Sequence, residues 1–177
     1  MSAGHRAVFL DRDGVINRAV VCEGKPFPPA TVAELEILPG VVDALNNLKK
    51  AGFVLIVVSN QPDVSRGTTR REAVEAINKA LAAQLPIDRF IMCYHDSSDG
   101  CDCRKPRPGM LLAGASEFGV DLTASYMVGD RWRDMEAGVA ARCKTVFIDY
   151  GYDEKQPELC DYCVTSLADW VSFFLRE

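Results

Sequence analysis

A chain of 177 residues is long enough to bury a substantial core without staples, and its net charge of −5, with no basic block, argues against a nucleic-acid partner. Its hydrophobic fraction of 48% and charged fraction of 25% are those of an ordinary globular protein, which excludes a disordered or low-complexity chain. No apolar run approaches the ~20 residues of a membrane span, and Ala7-Val8-Phe9-Leu10 is too short for a signal-peptide core, so a cytoplasmic protein with no membrane partner is expected.

Short apolar runs alternate with segments of helical period, which predicts a single α/β domain over 1–177 with a doubly wound, mainly parallel sheet. The first strand is read at 7–10. A Pro-rich loop, Lys25-Pro26-Phe27-Pro28-Pro29, precedes a helix at 41–50 that Gly52 closes. The branched run 54–58 predicts a strand buried on both faces. Thr69-x-x-Glu72 reads as a capping box opening a helix to about residue 84. A third strand at 90–93 runs into a cysteine-rich loop, and Pro108 suits the first turn of a helix ending near Gly119. Strands at 126–128 and 145–148 flank a helix containing 135–141, and Ser166-x-x-Asp169 starts a final helix through Leu175. No inserted segment is long enough for a separate cap domain, so the 25–29 loop and the cysteine loop must shape any pocket.

Asp11, Ser59 and Asp130 each fall just beyond a predicted strand, at the carboxyl edge where open α/β sheets bind ligands. Asp11 and Asp13 stand at i and i+2, on one side of an extended backbone, and Gly14 permits a turn at once. One carboxylate of such a pair can attack phosphorus while the other handles the leaving-group proton. Alone, the same residues make a solvated acidic turn. Val58-Ser59-Asn60-Gln61 supplies a hydroxyl and amides suited to phosphate oxygens, although Ser and Asn favour turns for local reasons too. Arg104, Lys105 and Arg107 precede a helix N-terminus, itself friendly to anions. Asp130 and Asp134 suit a hard cation, although Asp130 could simply cap a helix.

Seven cysteines without an export signal are not a disulfide framework. Cys93, His95, Cys101 and Cys103 complete the tetrahedral set of a structural zinc site over the loop 93–103, and their softness favours Zn²⁺ over Mg²⁺. The alternative is thiols packed as small hydrophobes. Cys160-Asp161-Tyr162-Cys163 reads as a strand edge rather than a redox motif, Cys22 and Cys143 as packing residues, and His5 as part of a tail.

In this order, Asp11-x-Asp13-Gly14, Ser59, Lys105 and Gly129-Asp130 with Asp134 resemble the four motifs of the haloacid dehalogenase-like superfamily, over most of the chain. The resemblance implies that Asp11 forms an aspartyl phosphate and Asp13 serves as acid and then base. It implies that Ser59 and Lys105 hold the phosphoryl group, and that Mg²⁺ binds the Asp11 and Asp130 side chains and the Asp13 carbonyl, with Asp134 nearby. A Cys-x-His and Cys-x-Cys pair directly before Arg104-Lys105-Pro106 is similar to the D-glycero-D-manno-heptose 1,7-bisphosphate phosphatases and the phosphatase domain of histidinol-phosphatases. That similarity makes Asn60, Arg104 and Arg131 candidate substrate contacts and a phosphorylated sugar the expected small-molecule partner. Where the heptose enzymes usually carry an Asp-His-Gly-Tyr-Val-like run, this chain has Arg18-Ala19-Val20-Val21-Cys22-Glu23-Gly24-Lys25, which leaves histidinol phosphate or another sugar phosphate as the alternative. A zinc-organised binding module without catalysis is the rival from another class, and it has no need for Asp11, Asp13, Ser59, Lys105 and Asp130 together.

Overall fold

The computed structural model describes residues 4–176. In chain order the elements are β1 (Arg6–Leu10), β2 (Val20–Cys22), β3 (Lys25–Phe27), α1 (Val41–Lys50), β4 (Phe53–Asn60), α2 (Arg71–Ala82), β5 (Arg89–Cys93) and α3 (Gly109–Phe118). There follow β6 (Tyr126–Gly129), α4 (Trp132–Ala140), β7 (Lys144–Ile148), β8 (Tyr162–Val164) and α5 (Leu167–Phe174). Six strands form one parallel sheet in the order β5-β4-β1-β6-β7-β8, and β2 and β3 pair separately as a hairpin.

The strands form where branched and aromatic residues run together, and their side chains divide strictly between two faces. Val8 and Leu10 pack with Leu45, Leu48, Ile77 and Trp170, so α1, α2 and α5 cover one face. Ala7 and Phe9 pack with Met110, Leu111 and Ala137, so α3 and α4 cover the other. This two-sided cover is the predicted double winding. The final helix is anchored by rings: Trp170 lies 5.1 Å from Tyr126 and 5.3 Å from Phe174 between centroids, each such pair stabilising by about 1 kcal/mol beyond its buried area. No helix among the described residues is long and apolar enough to cross a membrane.

The chain runs outward from β1 to β4 and β5, then crosses back to β6 on the other side of β1. Leu10 is level with Val57 of β4 and Val128 of β6, so all three strands deliver their next residues to one edge. That crossing point is where a doubly wound sheet opens a crevice.

Some expectations are corrected. Ser59 lies within β4, not beyond it, because the ladder with β5 continues to Asn60 and Cys93. The proposed Thr69 capping box does not form. The Thr69 and Thr68 backbone N–H groups are both drawn to the Asp63 carbonyl at 3.1 and 3.0 Å, which leaves Arg70 as the residue before α2. The segment after β1 is a hairpin whose turn places Glu23 and Gly24 at φ of 50° and 73°, the geometry that suits two-residue hairpins. Cys22 is exposed on it rather than packed, whereas Cys143 is buried. His5 is no free tail, since its N–H donates to the Gly119 carbonyl and its own carbonyl accepts from Asp121.

Candidate active site

The edge of β1, β4 and β6 gathers the acids. Asp11 leaves β1 with its N–H on the Val128 carbonyl of β6 at 2.9 Å. Its Oδ1 accepts from the Arg12 N–H at 2.8 Å and from Lys105 Nζ at 3.1 Å. Lys105 arrives from the loop before α3, is buried, and also donates to Asp134 at 2.6 Å and to the Val58 carbonyl at 2.8 Å. Its backbone is clamped by Asn60, whose amide donates to the Lys105 carbonyl and accepts from the Lys105 N–H, both at 3.0 Å.

Asp130 follows β6 with only 2% of its surface exposed. Its Oδ2 accepts from the Tyr152 hydroxyl at 3.0 Å, while Oδ1 is buried with no hydrogen-bond partner. Asp134, one helical turn further on, accepts from the Arg131 N–H at 3.0 Å and from Lys105. Gly129 is required here, since a Cβ at that position would fall 2.2 Å from the Asp134 side chain.

The carboxylates of Asp11, Asp130 and Asp134 each offer an oxygen within 4.8 Å of the others. Burial, the neighbouring Asp134 and then Asp13 push Asp11 up to about 6 against the pull of Lys105. Burial, Asp11 and Asp134 push Asp130 well above the usual carboxylate range. Burial alone would lower Lys105, but Asp11 and Asp134 outweigh it and hold the ammonium charged. One lysine cannot balance three buried acids. An all-oxygen donor set with an orphaned buried oxygen fits a hard divalent cation, which would supply the missing charge.

Asp13 lies between donors: Arg12 Nε at 3.1 Å, Asn17 Nδ2 at 3.0 Å and Gln61 Nε2 at 2.8 Å. Its side chain is therefore not the third member of the acid cluster; Asp134 is. Arg12 is fully buried, and its Nη1 reaches Asn78 of α2 at 3.0 Å. These braces escaped the sequence reading, although Arg12 stands between the two acids and its position there is the one signal available.

Two expected contacts are braced from within the protein. Ser59 Oγ accepts from Gln61 Nε2 at 3.0 Å, is buried, and does not line the cleft. Asn60 lines it, and its amide also holds the Lys105 backbone. Arg131 also lines the cleft, with its guanidinium held by Glu154 through both Nε and Nη2. Arg104 lines the cleft, and so does Arg133, which the sequence did not single out. Arg133 stacks on Trp132 at 4.6 Å, and burial followed by Arg131 and Arg104 lowers its pKa. Pro26 and Phe27 of the hairpin complete the wall.

Behind this cleft, Cys93, His95, Cys101 and Cys103 converge. Cys103 Sγ lies 3.1 Å from Cys93 Sγ, 3.4 Å from Cys101 Sγ and 3.3 Å from His95 Nδ1, and Cys93 Sγ lies 3.7 Å from Cys101 Sγ. A tetrahedron with Zn–S bonds of about 2.3 Å has edges of about 3.8 Å, so the donor set suits a soft tetrahedral ion. Cys160 and Cys163 are free and exposed, Cys163 within edge strand β8 and Cys160 just before it.

The chain belongs to the haloacid dehalogenase-like hydrolase family, whose profile matches residues 27–142. The D-glycero-beta-D-manno-heptose-1,7-bisphosphate 7-phosphatase of Escherichia coli (strain K12) is 37% identical over 178 aligned residues, covering 92% of this chain and 90% of that one. The enzyme of the same description from Pseudomonas putida is 35% identical, covering 97% and 98%. Among solved structures, D,D-heptose 1,7-bisphosphate phosphatase from B. bronchiseptica, complexed with magnesium and phosphate, has a TM-score of 0.78 at 29% identity, covering 97% and 98%. The activity of this chain is that of a phosphatase.

Proposed function

We propose that the chain removes the 7-phosphate of D-glycero-D-manno-heptose 1,7-bisphosphate through an aspartyl phosphate on Asp11. A carboxylate oxygen of Asp11 attacks phosphorus as the bond to the sugar oxygen breaks, and Asp13 delivers the proton to that oxygen. Asp13 then takes a proton from the water that attacks the phosphoryl group, and inorganic phosphate leaves with Asp11 restored. Arg12, Asn17 and Gln61 fix Asp13 for both transfers. Lys105 neutralises oxygens of the transferring group, and Asn60 and Ser59 act by holding Lys105 and Gln61 in place. Mg²⁺ held by Asp11, Asp130 and the Asp13 carbonyl, with Asp134 beside them, would supply the charge that lets a phosphate dianion approach a carboxylate. Zn²⁺ on Cys93, His95, Cys101 and Cys103 would tie down the loop that ends in Arg104 and Lys105.

The observation that carries the substrate is a pair of guanidinium groups in the cleft wall, Arg104 and Arg133, with no carboxylate at salt-bridge distance among the described residues. With Lys105 engaged by Asp11 and Asp134, and Arg131 by Glu154, Arg104 and Arg133 still line the same space. Guanidinium forks suit a second phosphate or vicinal hydroxyls. The test compares kcat/KM for heptose 1,7-bisphosphate, the corresponding 1-free monophosphate and histidinol phosphate at one Mg²⁺ concentration. The bisphosphate should lead. A clear lead for histidinol phosphate would replace this substrate with the alternative, and the reshaped hairpin at 20–27 would then be the reason.

A further inference from the structure

Asp130 is a buried acid whose two oxygens have different surroundings. Oδ1 has no hydrogen-bond partner. Oδ2 is boxed in: the Tyr152 hydroxyl donates to it at 3.0 Å, and a Cβ on Gly14 would stand only 2.0 Å away, so only glycine leaves room for it. Tyr152 belongs to the segment after β7, which folds back over the loops that follow β1 and β6. The Tyr150 ring stacks on Tyr152, with centroids 5.4 Å apart and planes at 26°, and its hydroxyl donates to the Gly14 carbonyl at 2.9 Å. Glu154 grips Arg131, the Asp153 N–H reaches the Gly24 carbonyl of the hairpin at 3.0 Å, and Lys155 pairs with Glu136 of α4 at 2.6 Å. Residues 150–155 thus tie both carboxylate-bearing loops to one strap.

We propose that Tyr152 is a positioning residue for a divalent cation. It holds Oδ2 of Asp130 so that Oδ1 is the oxygen presented to the metal, an inference that rests on the reading of Asp11 and Asp130 as the Mg²⁺ site. A carboxylate free to rotate offers either oxygen, or both, and must be ordered when the ion arrives. A hydroxyl fixed on one oxygen orders it beforehand and leaves the other, unpartnered oxygen for the ion. Partners of metal ligands typically change affinity by about 10–100-fold when removed. The strap also accounts for Tyr150: stacking fixes the Tyr152 ring, and the bond to the Gly14 carbonyl locks the wall against which Asp130 rests.

The test is Tyr152→Phe, which keeps the ring and its stack and deletes one hydroxyl. Mn²⁺ binding is followed by the electron paramagnetic resonance of the free ion, and melting is measured in EDTA. The variant should bind Mn²⁺ about tenfold more weakly, with the Mg²⁺ concentration for half-maximal activity rising by the same factor and saturating Mg²⁺ restoring kcat. Its melting temperature in EDTA should stay close to that of the wild type. Unchanged or tighter Mn²⁺ binding would overturn the inference while leaving the metal reading intact. So would a loss of affinity matched by an equal collapse of metal-free stability, which is the mark of a merely structural bond. Wild-type protein that takes up no Mn²⁺, or Asp130→Asn protein that binds it normally, would overturn the metal reading and this inference with it.

Discussion

Three buried acids, one buried lysine and one fully buried arginine crowd within the crevice beside β1. Such a cluster must be relieved by protonation or by a bound cation, and this has a measurable pH signature. In metal-free protein Asp11 is raised to about 6, by burial first and by Asp134 next. A raised carboxylate favours folding below its unfolded pKa and loses that contribution as pH rises through its folded value. Without metal, the melting temperature should therefore fall between about pH 4 and pH 6 through this group, and Mg²⁺ should raise it more at pH 7.5 than at pH 5. Equal Mg²⁺ stabilisation at both values would contradict the acid cluster as the binding site. Asp11→Asn should lose essentially all turnover, because an amide cannot attack phosphorus, while its circular dichroism spectrum stays that of the wild type. Retained turnover in a clean preparation would remove Asp11 as nucleophile. Asp11, Asp130 and Lys105 were legible because each stands just past a strand or shortly before a helix, and Asp134 because it lies in the first turn of the helix after Asp130. The braces were not legible. Arg12 to Asn78 spans 66 residues and Lys105 to Asn60 spans 45, and no local pattern encodes such pairings.

The helices and strands of the sheet were legible from apolar period, and their ends were legible only where a cap forms. Ser166 accepts from the Asp169 N–H at 3.0 Å and starts α5 as its spacing predicts. Thr69 has the same spacing to Glu72, yet Asp63 claims its backbone and α2 starts two residues later. The two can be told apart by stability: Ser166→Ala should cost about 1 kcal/mol, and Thr69→Ala only a few tenths, in urea unfolding. Comparable losses would mean that Thr69 does cap α2 in solution. The loop 93–103 has little core of its own beyond Cys93 and is held by bonds such as Arg66 to Asp96 and Ser65 to Asp99, to which a metal on its four ligands would add. Purified protein should release about one Zn²⁺ per chain to a strong chelator after thiol modification, with loss of activity because Arg104 and Lys105 follow the last ligand directly. Zinc-free protein of full activity would show the loop to be ordered by thiol packing instead. The β2–β3 hairpin was missed because a three-residue strand containing Pro26 carries too little period to read.

The whole chain places an open cleft, rather than a capped one, above the carboxyl edge of the sheet. Pro26 and Phe27 of the hairpin wall that edge together with Arg104 and Arg133, and the proposed function gives these two arginines the choice of substrate. Arg133→Ala should therefore lower kcat/KM for a sugar bisphosphate about tenfold or more while changing an aryl phosphate by less than about threefold, since one forked, charge-assisted contact stabilises by about 1.5–3 kcal/mol. Equal losses on both would place Arg133 in scaffolding rather than recognition. Beneath the choice of substrate lies the covalent step, and it can be caught directly. In the Asp13→Ala variant the base that activates water is gone, so phosphoryl groups donated by an activated aryl phosphate with Mg²⁺ should accumulate on the enzyme. Acid quenching and borohydride reduction turn an aspartyl phosphate into homoserine, which peptide mass spectrometry locates. The mechanism predicts homoserine at position 11 and at no other aspartate. Homoserine elsewhere, or continued release of phosphate with position 11 never modified, would contradict it.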